Sequence, residues 1–108
     1  MSEHEDVAAL ADVGEGELLD VTLASGDSIC LFKLDGRVGA LGNVCTHAEF
    51  AMSDGVLHAD GTIECVWHGA RFDCRTGVVV RQPATDPLPV YEAVVRDGRV
   101  LVASRPAT

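Results

Sequence analysis

The pair Asp-Gly occurs four times, at Asp35-Gly36, Asp54-Gly55, Asp60-Gly61 and Asp97-Gly98. Glycine accepts the positive φ that a two-residue hairpin turn demands, and aspartate tolerates it while hydrogen-bonding locally. The segments around these pairs have strand character. DSICLFKL alternates, with Cys30, Phe32 and Leu34 on one face and Ile29 and Leu31 on the other. RVGALGNV follows as its hairpin partner, and then come TIECVW, GVVVR, VYEAVV and RVLVAS. Nowhere do apolar residues recur at helical spacing over a long capped window. Short strands at close spacing with glycine-rich turns predict an all-β fold, an antiparallel sandwich or barrel.

With 108 residues, 47% of them hydrophobic, the chain is expected to be a single globular domain spanning 1–108. That length supports one core but not a core plus a catalytic domain. No apolar run approaches the roughly 20 residues needed to cross a bilayer, so no membrane segment is expected. The start, MSEHEDVAAL, is acidic where an export or transit peptide would be basic, so a cytoplasmic location is expected. The net charge is −9, and seven of the 17 acids lie in the first 20 residues, where no Lys or Arg occurs. Such a chain repels nucleic acid and anionic lipid, and attracts a partner with a basic patch.

Four cysteines in a chain without an export signal point to metal or redox chemistry rather than to a disulfide framework. A lone Cys in a strand is usually a small buried hydrophobe, and a lone His usually a surface or hydrogen-bonded ring. Cys30, Cys74, His4 and His58 fit those descriptions. The other four are arranged differently. Cys45-Thr46-His47 and Cys65-Val66-Trp67-His68 read C-x-H, a gap of 17 residues, then C-x-x-H. Each pair sits where a loop leaves a strand, and a third loop, RQPATDPLP, carries Pro83, Pro87 and Pro89.

Thiolate and imidazole suit zinc, copper and iron–sulfur iron. Zinc modules commonly pair like ligands in one knuckle, whereas mixed loops let each loop give a thiolate to one iron and an imidazole to another. A structural zinc module with the same four ligands is the alternative.

CTH followed by CVWHGARFD resembles the Rieske family, and the chain from DGRVGALGNVCTH onward is similar to the small ferredoxins of bacterial aromatic-ring dioxygenase systems. MSDGVL, TGVVV and PATDPLPVYEAVVRDGRVLV carry the likeness to the C-terminus; the first 25 residues match loosely, as an acidic edge. The resemblance implies an antiparallel β-sandwich with a small cluster-binding subdomain, at about 44–84. It implies one [2Fe-2S] cluster held by Cys45 and Cys65 on the buried iron and by His47 and His68 on the outer one. Phe50, Trp67, Pro83 and Pro87 would cover the cluster or face a partner.

Phe50 and Trp67 stand where respiratory Rieske subunits carry bridging cysteines, and Ala70 and Phe72 stand where those subunits carry Ser and Tyr hydroxyls. A hydrogen bond to sulfur favours the extra electron, so the missing donors place this centre near the low end of the family's range, roughly −150 to +300 mV. The potential is also expected to fall with rising pH through His47 and His68. That poise suits a one-electron carrier, which is expected to be monomeric and, with no room for a mononuclear iron site, non-catalytic. It would stand between an NAD(P)H-dependent flavin reductase and a terminal Rieske oxygenase acting on bi- or polycyclic or heterocyclic aromatics. The alternative is the small Rieske-like subunit of a nitrite reductase.

Overall fold

The computed structural model describes residues 3–44, 51–66, 69–81 and 86–107. Eleven strands run along these segments. They are β1 (His4–Ala9), β2 (Leu18–Thr22), β3 (Ser28–Leu34), β4 (Arg37–Gly42), β5 (Val56–Leu57) and β6 (Thr62–Glu64), then β7 (Arg71–Asp73), β8 (Val79–Arg81), β9 (Val90–Tyr91), β10 (Ala93–Arg96) and β11 (Arg99–Ala103). They form three antiparallel sheets, ordered β1-β11-β10, β2-β3-β4-β9 and β5-β6-β7-β8. The all-β expectation holds.

The alternation in β3 explains how the sheets are layered. Ile29 and Leu31 enter one core with Ala8, Ala40, Tyr91, Val100 and Val102, between the first and second sheets. Cys30 and Phe32 enter another with Leu41, Met52, Ile63, Cys65, Ala70, Phe72, Cys74 and Leu88, between the second and third. Both faces of β3 are therefore covered. A fully buried Ile or Leu contributes about 1.5–3 kcal/mol, and the two on β3 anchor the first core. Shifting β3 by one residue would exchange its two faces, so the register is strongly specified.

Two of the four Asp-Gly pairs make the expected turn. Asp35-Gly36 joins β3 to β4 with φ of 53° and 77°, and Asp97-Gly98 joins β10 to β11 with 52° and 75°. At Asp60-Gly61 only the glycine has positive φ, 90°; the Asp60 carboxylate instead accepts hydrogen bonds from the Thr62 amide (2.9 Å) and hydroxyl (2.7 Å). Asp54-Gly55 corrects the sequence reading. Gly55 ends a 3-10 turn, Met52–Asp54, with φ −88°, and its role is clearance: a Cβ there would collide with the Glu64 carbonyl oxygen.

VYEAVV is likewise not one strand. It divides at Glu92, with β9 in the second sheet and β10 in the first. The acidic N-terminal stretch supplies β1 and β2, which sequence patterning left unassigned; each lies at the edge of its sheet, where charged side chains discourage pairing with another chain. After β4 the chain leaves the second sheet, builds the third, and returns as β9, where Ala40 and Leu41 pair with Tyr91 and Val90.

Candidate metal centre

Of the four expected ligands, Cys65 is among the described residues. Cys45, His47 and His68 lie outside them, as do Phe50, Trp67 and Pro83. The bases of the two loops expected to carry the ligands are described.

The first loop, 45–50, leaves β4 through Asn43 and Val44. An antiparallel bridge between Val44 and Ala51 closes it, and the Met52 amide donates to the Asn43 carbonyl at 2.6 Å. The Asn43 side chain fastens the same base. Its Oδ1 accepts from the Ser53 amide (2.7 Å) and its Nδ2 donates to Ser28 Oγ (3.0 Å). Ser28 Oγ in turn donates to Asp20 Oδ1 (3.1 Å). Asn43 is 2% exposed, and its removal would leave the Ser53 amide without its part-buried acceptor.

The second loop, 66–69, follows β6. The Cys65 amide donates to the Ala70 carbonyl at 2.8 Å, and Gly69 supplies the positive φ, 71°, that turns the chain into β7. Cys65 and Ala70 are fully buried and share a core with Met52. Both loops therefore spring from one packed platform. Val44 and Val66, beside the two cysteines, are more than half exposed. The third loop's described part is tied down by the Leu88 amide, which donates to the Gly77 carbonyl at 2.8 Å. There Pro87 is exposed, and with Thr76, Val78, Leu88 and Pro89 it lines an apolar groove.

A charged network lies at the base of the second loop. Glu64, next to Cys65, faces Arg71 directly across the β6–β7 pair. Glu64 Oε1 accepts from Arg71 Nε (3.1 Å) and lies 3.0 Å from a terminal guanidinium nitrogen. His58 Nε2 is 2.7 Å from the same oxygen. Asp60 stands 3.9 Å from the guanidinium. The contact with His58, and then those with Arg71, hold the Glu64 carboxyl below the usual carboxylate range. Hydrogen bonds from the Thr62 hydroxyl and amide do the same for Asp60.

Cys30 and Cys74 are buried free thiols. Burial, with the Asp20 charge, pushes Cys30 up to about 12; burial, with Asp73, raises Cys74. Both are core residues, as their sequence context indicated. His4 and His58 are hydrogen-bonded rings, on Glu92 and Glu64. Among the described residues no cluster of three or more His, Cys, Asp or Glu offers another metal site.

A buried cysteine at a loop base suits a thiolate ligand shielded from water, and the Cys₂His₂ donor set of the two loops suits a mixed-ligand iron–sulfur cluster. Residues 3–92 match the family model of the Rieske [2Fe-2S] domain. The chain belongs to the Rieske family.

A [2Fe-2S] cluster is therefore its cofactor. This Rieske chain is 39% identical over 98 residues to the ferredoxin component of the p-cumate 2,3-dioxygenase system of Pseudomonas putida, covering 89% of this chain and 81% of that one. It superposes with a TM-score of 0.90 on a chain in a complex of reduced oxygenase and oxidised ferredoxin of carbazole 1,9a-dioxygenase, at 30% identity and 97% and 96% coverage. A structure described as a putative NADH-dependent nitrite reductase small subunit from Mycobacterium tuberculosis aligns with a TM-score of 0.86, 29% identity, and 100% and 99% coverage.

Sequence patterning missed Asn43 and the Glu64 network. An amide ending an apolar strand was the available sign of the first. The second had none, because the pairing of Glu64 with Arg71 depends on strand register.

Proposed function

We propose that this Rieske chain is the ferredoxin component of an aromatic-ring hydroxylating dioxygenase system. It takes one electron at a time from an NAD(P)H-dependent flavin reductase and passes it to a terminal Rieske oxygenase. The observation that carries this is the match, over most of both chains, to a relative named as such a component. Cys45 and Cys65 hold one iron, and His47 and His68 the other. Phe50, Trp67, Pro83 and Pro87 surround the cluster on the side met by partners. The whole chain is one domain, with the cluster carried by the part at about 44–84; the third sheet, within that range, supports this division.

When bound, the cluster supplies one-electron redox chemistry. Cys65, the ligand proposed among the described residues, is withdrawn from water, and Ala70 and Phe72, at the positions where respiratory members carry hydroxyl donors, are buried carbon. That supports a low-potential centre. The chain is a carrier and not the catalyst, and it acts in the cytoplasm as a monomer. No helix of the described residues is long and apolar enough to cross a membrane.

The test begins with protein purified without oxygen. Two irons and two acid-labile sulfides per chain are expected, and one zinc would overturn the cluster assignment. Prereduced protein is then mixed with an aromatic-ring oxygenase and with a nitrite reductase large subunit. Electron transfer to the oxygenase supports the proposal. Transfer to the nitrite reductase alone establishes the second reading, which the nitrite reductase small-subunit likeness favours.

A further inference from the structure

We propose that the charged network beneath the second loop, Glu64 with Arg71, Asp60 and His58, sets the electrostatic field at the cluster, with the Glu64 carboxylate as the group that makes reduction harder. This rests on Cys65 being a ligand.

The geometry gives the network a direction. The three nitrogens of His58 and Arg71 all gather on Glu64 Oε1. Oε2 lies on the other side, toward the loop: a Cβ on Gly69 would sit 3.4 Å from it. The carboxylate thus turns one oxygen to its partners and the other to the residue that follows His68. Glu64 is also the chain neighbour of Cys65. Glu64 and Arg71 side chains are each 27% exposed, so water and salt screen them less than they screen a surface pair. Asp60, at 60%, is screened more.

With neutral imidazoles, two ferric irons, two sulfides and two thiolates sum to zero charge, and reduction adds one negative charge. A fixed negative charge nearby opposes that step and a positive one assists it. Taking His58 as neutral, Glu64, Arg71 and Asp60 together carry one net negative charge. Glu64 and Arg71 therefore act in opposite senses on the same electron, although each supports the other's position.

This opposition separates a field effect from structural damage. Reduction potentials are measured by voltammetry at one pH on the unaltered protein and on Glu64→Gln, Arg71→Gln, Asp60→Asn and the Glu64→Gln/Arg71→Gln double variant. Glu64→Gln should favour reduction roughly tenfold, about 59 mV upward for one electron. Arg71→Gln should shift the potential downward by a similar amount. Asp60→Asn should give a smaller rise, and the double variant should return close to the unaltered value. If both single variants move the potential the same way, or neither moves it while the cluster's visible spectrum is intact, the proposal is overturned. Iron and sulfide analysis of the unaltered protein tests the ligand reading separately. Asp60→Asn and Arg71→Gln keep the sign test available if Glu64→Gln does not fold.

Discussion

The two loops that carry the Rieske motif are held at their bases by opposite kinds of chemistry. The first is closed by a backbone bridge and a neutral amide: Asn43 reaches the Ser53 amide and the Ser28 hydroxyl, with no formal charge of its own. The second is closed by a backbone bond from the Cys65 amide to the Ala70 carbonyl, reinforced by the cross-strand pair Glu64–Arg71 and by His58. A neutral latch fixes position and adds little field. A charged brace fixes position and also acts at a distance. Loops of the same role can thus be built so that one is purely geometric and the other is also electrical.

The largest break in this comparison is expected from Cys65→Ser. A hydroxyl is a poor ligand for iron in an iron–sulfur cluster, so iron content and the visible spectrum should be lost, whereas Cys30→Ser should leave both in place because Cys30 is a core thiol. Next comes Asn43→Ala, which orphans the Ser53 amide. The expected cost is about 1–3 kcal/mol, or a fall in melting temperature of roughly 5–15 °C by calorimetry, with faster iron loss on chelator challenge. A smaller effect is expected from Ala70→Ser. It would place a hydroxyl in a fully buried position at the second loop's base, and voltammetry should show a higher potential if the new donor reaches sulfur.

The smallest effect concerns acid. Asp60 and Glu64 have carboxyls held below their ordinary range in the folded state. Their contribution is complete above the unfolded pKa, about 4, and is lost as pH falls through the lower folded values. The Asn43 latch reaches a carboxylate only at one remove, through Ser28 to Asp20, and its bond to the Ser53 amide uses a neutral amide oxygen. Hydrogen exchange from neutral pH to below pH 4 should therefore show the Cys65 amide losing protection before the Met52 and Ser53 amides do. Simultaneous loss at both bases would show that the two are not independent.

The hairpins were legible because their information is local. Asp35-Gly36 and Asp97-Gly98 have the positive φ values their composition implies, and the alternation of β3 gave its two faces correctly. The motif was legible from spacing, since mixed Cys and His in two loops is a demanding pattern. Strands of two or three residues such as β5 and β7 leave too little periodicity to read. The Asp54-Gly55 and Glu92 corrections have a common cause. Each is decided by a distant partner, the Glu64 carbonyl in one case and two different sheets in the other. The Glu64 network was hidden for the same reason, because two residues seven positions apart become opposite only once β6 and β7 pair.

The chain's departure from the second sheet after β4 and its return at β9 have an engineering consequence. The ends of that excursion meet, with the Gly42 amide bonded to the Pro89 carbonyl at 2.9 Å, and a Cβ at Gly42 would strike the Pro89 ring. The excursion is thus pinned at its neck by that junction and along its length by the core it shares with β3, and a graft into another sheet would need to reproduce both.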